Sequence, residues 1–498
     1  MTIADDDGIQ LPLFNQTSDF TYIGAFRVPT GTVGSDTFQF GGNALAFNPA
    51  NHSLFIASNF DHGLNIAEVQ IPTTLSSTGV VSSMGVANVL QPFVDLSSLL
   101  TTNSDGTSTS PNLSYENLRL GGLLVAGNGL TGGMFMGYNF PEPQYSTNSH
   151  FRTTGLNLAS LSASNFTGLI DIRSNLDSAS GRVRGGYMTA VPDQWKEWIG
   201  ANYVTGAAGQ NRIQYSSSGP ALFGFDAINS AGSSDKPLVY YPYGHPLQWS
   251  DAADAAPQLL FNGTTKIDGV AFVPGTRSVI FIGSNGLSSI GYGVGPRFND
   301  QFRPYQGYHS QNGNYQYQIW AYDIDDFMSV RNGTKASWEI RPTNTVNFNL
   351  PTPEFSKYLG GTAFDAATGR LYISQKTASP DATPIIHVYQ LGAPPTSGFL
   401  AARVTAAPVA VAFAVGKSVT LKPTSSPLTT DNIAVTKSAI HNSLTSKHSI
   451  RKQTKLKNAA AALPENQSTN TTTATPPLET QQLDHLFTTI SSGHPAIF

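Results

Sequence analysis

The sequence predicts an all-β fold: a five-bladed β-propeller closed by an N-terminal strand, followed by an irregular C-terminal tail. Three observations predict it. A short phrase ending in one or two glycines recurs five times. Each copy leads into a run of strand-like segments. The last run lacks a strand that a surplus segment near the N-terminus can supply.

The recurring phrase reads FQFGG at 38–42, LRLGG at 118–122, RVRGG at 182–186, TKIDG at 265–269 and KYLGG at 357–361, so its last glycine recurs at spacings of 80, 64, 83 and 92 residues. Inner strands of a ring crowd around an axis, and glycine lets neighbouring backbones approach there. Three copies continue alike. AFNP then SLFI (46–56), AFVP then SVIF (271–281), and AFD then RLYI (363–373) each read as two short strands joined by a tight turn. Copy one carries two extra residues before its Ala-Phe, which preserves side-chain facing.

Two further strands are expected in each unit. They fall at 65–71 and 89–96, at 150–158 and 168–173, at 220–226 and 238–241, and at 317–323 and 338–342. Unit five has only 385–391 and then stops, while 20–28 (FTYIGAFRV) belongs to no unit. A ring of four-stranded sheets is completed if 20–28 pairs beside 385–391.

Composition narrows the function classes. The 498 residues include no cysteine, which excludes disulfide scaffolds, thiolate zinc sites and cysteine nucleophiles. Charged residues are 12% of the chain, about half of the roughly 25% usual in soluble domains. A net charge of −4 gives no reason to expect specific nucleic-acid binding. No apolar run is long enough for a membrane span, and the opening MTIADDDGIQ is not a Sec signal peptide. The charge is uneven: residues 1–391 carry a net −9 and residues 392–498 a net +5. This sets the expected boundary between a propeller at 20–395 and a basic, Thr/Ala-rich extension at 396–498. The extension is expected to attach the protein to a larger assembly or to copies of itself.

Long connections are expected between second and third strands and between blades, which places them on one face. The other face is expected to be nearly bare. Two of these stretches are rich in aromatics. Tyr240, Tyr241, Tyr243, His245 and Trp249 cluster in one; Tyr292, Arg297, Arg303, Tyr305, Tyr308 and His309 cluster in the other. Aromatic faces among amides suit sugar rings, and equally suit a protein surface. These eleven residues form the expected ligand-binding set, with Trp195 and Trp198 as possible additions. At the axial mouth the repeat places Asn43, Arg119, Arg184, Lys266 and Asp268.

Catalytic signals are sparse. Sugar hydrolysis needs two carboxyl groups at a defined separation. Asp268 is the one acidic residue at the repeated axial position; Glu116 and Glu354, the carboxyl groups an enzyme would pair with it, lie just ahead of the second and fifth phrases, not at the matching offset. Asp323, Asp325 and Asp326 read as a strand end followed by a helix cap rather than as a calcium loop. The histidines form no paired metal-ligand spacing, and no cofactor or metal is expected.

At YIGAFRVP (22–29), GGNALAFNP (41–49), GVAFVPGTRSVIF (269–281) and GGTAFDAATGRLYIS (360–374), the chain resembles a group of uncharacterised bacterial proteins that share these phrases and are usually secreted. The group has no established activity, so the resemblance assigns no site residue. The expectation is a non-enzymatic binding or structural protein at an extracellular or virion surface, such as a phage tail appendage. It would recognise a glycan or protein through its loop-rich face. The alternative is a polysaccharide-acting hydrolase or lyase.

Overall fold

The computed structural model describes residues 11–59, 62–100, 118–136, 148–172, 184–207, 217–228, 236–242, 244–248, 259–303, 306–352 and 357–393. The chain divides into two units, 1–407 and 408–498. All described residues belong to the first, so the expected tail lies outside them.

Five four-stranded antiparallel sheets ring an axis, a five-bladed β-propeller. The chain enters through a short helix α1 (Gln16–Asp19), strand β1 (Phe20–Arg27) and a small hairpin, β2 (Thr32–Val33) with β3 (Asp36–Thr37). Blade one is β4 (Leu45–Asn48), β5 (Ser53–Ala57), β6 (Asn65–Gln70) and β7 (Asn88–Asp95). Blade two is β8 (Leu118–Ala126), β9 (Gly129–Met136), β10 (Asn148–Thr153) and β11 (Phe166–Asp171). Blade three is β12 (Met188–Ala190), β13 (Tyr203–Gly206), β14 (Leu222–Phe225) and β15 (Lys236–Val239), with helix α2 (Asp193–Ile199) between its first two strands.

Blade four is β16 (Lys266–Phe272), β17 (Ser278–Gly286), β20 (Tyr315–Asp323) and β21 (Asn344–Phe348). Its second and third strands are joined through a hairpin of β18 (Ile290–Val294) and β19 (Gln306–Ser310), and helix α3 (Ile324–Arg331) follows β20. Blade five is β22 (Leu359–Asp365), β23 (Arg370–Gln375) and β24 (Ile385–Leu391). Its fourth, outer strand is β1, which runs antiparallel to β24 from Phe20 opposite Leu391 to Arg27 opposite Ile385. The segment expected to close the ring therefore closes it.

The outer edge of β1 is itself covered. Ala25 exchanges backbone hydrogen bonds with Ser76, and Arg27 bonds to Gly85 and Ala87, all on the connection between β6 and β7. Covering an outermost strand removes a template for unwanted pairing. Residues 11–19 reinforce the closure from blade four: Arg277 donates to the Pro12 carbonyl, and the Phe14 N–H donates to Ser278 Oγ.

Each blade is buried on both faces, which explains why β5 and β17 are buried at every position. The apolar clusters lie between neighbouring blades. Phe55, Leu120 and Phe151 join blades one and two. Tyr187, Leu222, Phe281 and Trp320 join blades three and four. Ile282, Ile319, Ile373 and Tyr389 join four and five. Phe26, Leu54, Tyr372 and Val388 join five and one. The cluster between blades two and three is smaller, around Met188 and Phe225. Polar groups share that junction: His150 Nε2 is 3.2 Å from Thr205 Oγ1, whose hydroxyl donates to the Arg184 carbonyl. Burial, with the Arg184 charge alongside, holds the His150 imidazole down at about 3, so it is neutral.

The repeated glycines sit where inner strands meet. A Cβ on Gly122 would fall 1.8 Å from the Gly186 carbonyl oxygen, and one on Gly360 would fall 2.0 Å from that of Gly42. The Gly361 N–H also donates to the Gly42 carbonyl at 2.9 Å, linking blades five and one.

Two expectations are corrected. The fourth strand of blade four is 344–348, not 338–342. Ile340 packs into the blade three–four cluster and Trp338 stacks on His245, so the apolar character of 338–342 serves tertiary packing. The face carrying the first-to-second and third-to-fourth connections is not bare. It holds α2, α3 and the 71–87 connection, and Arg331 of α3 donates to the Trp198 carbonyl at 3.2 Å. Asp323 caps α3, its carboxylate accepting the Asp325 N–H at 3.1 Å, as the sequence implied. Arg277 bridges to Asp323 and Asp325, which makes this acidic run an ion-pair network.

Candidate functional site at the axial end

The strands alternate in direction, so the starts of the inner strands share one end of the ring with the second-to-third connections. At that end the residues just before or within the inner strands converge. Lys266 Nζ pairs with Asp268 Oδ1 and donates to the Leu359 carbonyl at 3.0 Å, so one ammonium ties blade four to blade five. Lys376, immediately after β23, donates to Asn43 Oδ1, while Asn43 Nδ2 donates to the Ser58 carbonyl at 3.0 Å. That pair ties blade five to blade one. Tyr358 lies between, with the Lys266 ammonium 5.8 Å and the Arg303 guanidinium 4.8 Å from its ring centre.

Asp268 is the centre of this group. Its side chain is 7% exposed, and Oδ2 has no hydrogen-bond partner among the described residues. Burial raises its carboxyl above the usual range, against the opposing charges of Lys266, Lys376 and Arg303. A buried acceptor without a donor is costly in a finished core, and Asp268 Oδ2 is left as an unsatisfied polar atom of this group among the described residues.

Above it stands the β18–β19 hairpin, held by a buried polar root. Arg303 is fully buried; it donates to the Thr264 carbonyl and to Ser284 Oγ, both at 2.8 Å, and stacks 3.7 Å from the Tyr315 ring centre. His309 Nδ1 is 2.9 Å from Asp300 Oδ2 and its Nε2 is 3.1 Å from the Gly293 carbonyl. The Tyr315 hydroxyl donates to the same Asp300 oxygen at 2.5 Å. Burial alone would raise the Asp300 carboxyl, but the bonds from His309 and Tyr315 and the Arg303 charge outweigh it and hold the group below its usual value. The outer side of the hairpin presents Tyr292, 49% exposed, set edge-on to Tyr308 at 5.1 Å, together with Val294 and Arg297. The Tyr308 ring also packs on Gly263, just ahead of Lys266.

The expected site residues therefore divide. Asn43, Lys266 and Asp268 meet at the axial end, and Arg119 is half-buried on the opening residues of β8. Tyr292, Arg297 and Tyr308 lie on the hairpin. Arg184 was expected at the mouth but is fully buried between blades two and three, 5.0 Å from the Phe223 ring centre. Arg303 and His309 were expected to face a ligand, yet they brace the hairpin from inside.

Tyr240 and Tyr241 are buried as well. The Tyr241 hydroxyl donates to the Ile340 carbonyl at 2.8 Å and lies 2.9 Å from that of Tyr322, because the 337–341 segment covers this stretch. His245 is exposed but stacked on Trp338, with ring centres 4.7 Å apart. Trp195 and Trp198 lie on α2 at the other end of the ring, Trp195 in the core. Tyr243, Trp249, Tyr305, Glu116 and Glu354 fall outside the described residues.

Lys376 and Tyr358 were not foreseen. Tyr358 sits in the fifth repeat phrase, whose spacing could have flagged it. Lys376 follows a second strand and reaches the axis only through tertiary packing. Among the described residues no group of three metal-ligating side chains is found, and no helix is long and apolar enough to cross a membrane.

No protein-family model matches the chain, and no curated protein matches it. Among solved structures it is similar to a glycosyl hydrolase from Bacteroides ovatus, at 10% identity and a TM-score of 0.32, covering 76% of this chain and 93% of that one. It is also similar to a protein from Lactobacillus plantarum, at 11% identity and a TM-score of 0.24, covering 67% of this chain and 64% of that one.

Proposed function

We propose that the protein is a non-enzymatic, extracellular saccharide-binding propeller that holds its ligand at the axial end, beneath the β18–β19 hairpin. The observation that carries this reading is the convergence of Asn43, Lys266, Lys376 and Tyr358 on the buried, singly bonded carboxylate of Asp268. Mixed donors and acceptors beside an aromatic face suit hydroxyl-rich rings, and Tyr292 and Tyr308 extend the apolar surface outward. Low charge and the absence of cysteine suit an exposed surface protein.

A second reading, sugar hydrolysis, is favoured by one observation: a carboxyl raised by burial is the form a general acid takes. Hydrolysis needs a partner carboxylate, whereas the groups that act most strongly on Asp268 after burial are cations. The test measures binding and reducing-end release together, for the wild type and Asp268→Asn, on a panel of plant, bacterial and animal oligosaccharides. Binding without release by either protein is expected. Release by the wild type that drops by about a thousandfold or more in Asp268→Asn, with binding retained, would establish the hydrolase instead.

A further inference from the structure

We infer that the β18–β19 hairpin is a pH-sensitive flap, clamped in acid by a doubly donating His309 and loosened when that imidazole gives up a proton. This holds for the free protein and goes beyond the choice of ligand.

Hydrogen-bond chemistry sets the form of His309. Its Nε2 is 3.1 Å from the Gly293 carbonyl, which can only accept. Its Nδ1 is 2.9 Å from Asp300 Oδ2. That carboxylate is an acceptor too. Its Oδ1 takes the Phe302 and Arg303 N–H groups at 3.0 and 3.1 Å. Its Oδ2 also takes the Tyr315 hydroxyl, whose own oxygen accepts the Ser310 N–H at 3.0 Å. Both ring nitrogens therefore face acceptors, and only the imidazolium carries two N–H donors. Turning the ring over would set carbons against the same two oxygens, so a flip does not relieve the requirement.

The pair is shut away from water. His309 is 1% exposed and Asp300 2%, and Phe298 stacks on the imidazole with ring centres 5.4 Å apart. Phe298 can reach because Gly291, opposite His309 in the hairpin, has no side chain; a Cβ there would fall 2.2 Å from the Phe298 ring. In so closed a place an acceptor left facing a lone pair is costly.

Among the described residues, the other charged or titratable groups here are Tyr315, Arg303 stacked on it, and Arg297 alongside Gly293. A guanidinium keeps its charge, and burial pushes the Tyr315 hydroxyl up, so it stays a donor. His309 is the group that changes. A carboxylate holds an N–H more strongly than a neutral carbonyl does. The bond that breaks as pH rises is therefore the one to Gly293, within β18, which frees that strand from the Asp300 root.

Hydrogen–deuterium exchange of the full chain without ligand tests this at pH of about 5.5, 7.5 and 9.5, spanning the ordinary imidazole value of about 6.5. Protection factors cancel the rise of intrinsic exchange with pH. Protection at 290–294 and 306–310 is expected to fall about tenfold or more from the lowest to the highest pH, while β5 and β23 hold theirs. Unchanged hairpin protection overturns the inference, and so does a parallel loss throughout the ring. Ligand plays no part, so either result leaves the proposed function as it stands.

His309→Gln is neutral at every pH and is expected to leave the hairpin equally loose throughout. A pH response that survives in it overturns the assignment to His309. Should that variant fail to fold, Asp300→Asn decides. An Asn oxygen still accepts the Phe302 and Arg303 amides, but the imidazolium loses its counter-charge. Protection is then expected to be lost at lower pH than in the wild type, and an unmoved transition overturns the pairing.

Discussion

A chain beginning at residue 29 is expected to lose its cooperative fold. Without β1, blade five has three strands and β24 presents a bare edge along its length. The loss is not confined to backbone pairing. Phe26 is fully buried in the blade five–one cluster, and Phe20 stacks on Tyr389 at 4.0 Å and meets Phe348 edge-on at 5.3 Å. The single change Phe26→Ala should already cost about 3–5 kcal/mol, a large share of the roughly 5–15 kcal/mol that holds a typical domain together.

Removing the whole strand also strips the partner of the 71–87 connection, so two junctions of the ring fail together. The measurement is thermal unfolding by circular dichroism with size-exclusion chromatography. The truncated chain should aggregate or melt without cooperativity, and a synthetic peptide of residues 14–30 added in excess should restore a transition. A cooperative melt close to that of the full chain would contradict the closure.

The second large effect is expected at Gly122. A side chain there meets backbone, with the Gly186 carbonyl oxygen at 1.8 Å and its carbon at 2.7 Å, so no rotamer change relieves it. Inner strands β8 and β12 would have to part, because the nearest neighbours of the added atom are all backbone, Tyr187 N at 3.3 Å included. Overpacking usually costs about 1–3 kcal/mol; Gly122→Val should reach or exceed the top of that range. Gly155→Ala is the control, because nothing lies within 4 Å of the added methyl. Denaturant midpoints measure both. A Gly122→Val midpoint equal to the control's would show that the recurring glycines do not set the strand spacing.

These two positions also show why so much of the ring was legible. The glycine phrases recur because five inner strands face the same crowding, and a shared constraint leaves a shared spelling. The unpaired 20–28 and the truncated fifth unit were visible for the same reason: a ring must close. What escaped was set by contacts rather than repetition. Strand 344–348 (NTVNF) is mostly polar because it is an outer edge where only Phe348 is buried. The helix at 193–199 carried readable signals, an acidic first turn and a left-handed Gly200 behind it, but they fall where other units have a short turn.

The aromatic stretches misled in part because packing and binding call for the same residues. Tyr241 satisfies its hydroxyl inside the core, and Arg303 and His309 spend their donors on the hairpin's root. Lys376 and Asn43 are 333 positions apart and meet only because the first and last blades do.

Hydrogen–deuterium exchange of the full chain, with and without the tightest-binding oligosaccharide, tests the functional reading most directly. The axial site predicts slowed exchange around 264–268, 357–360 and 375–377, with a smaller effect on the hairpin at 290–310. An open groove at the other end of the ring, lined by Asn48, Asn51, Glu68, Leu90, Gln91 and Leu156, should be unaffected. Protection centred on that groove, with the axial segments unchanged, would contradict the account.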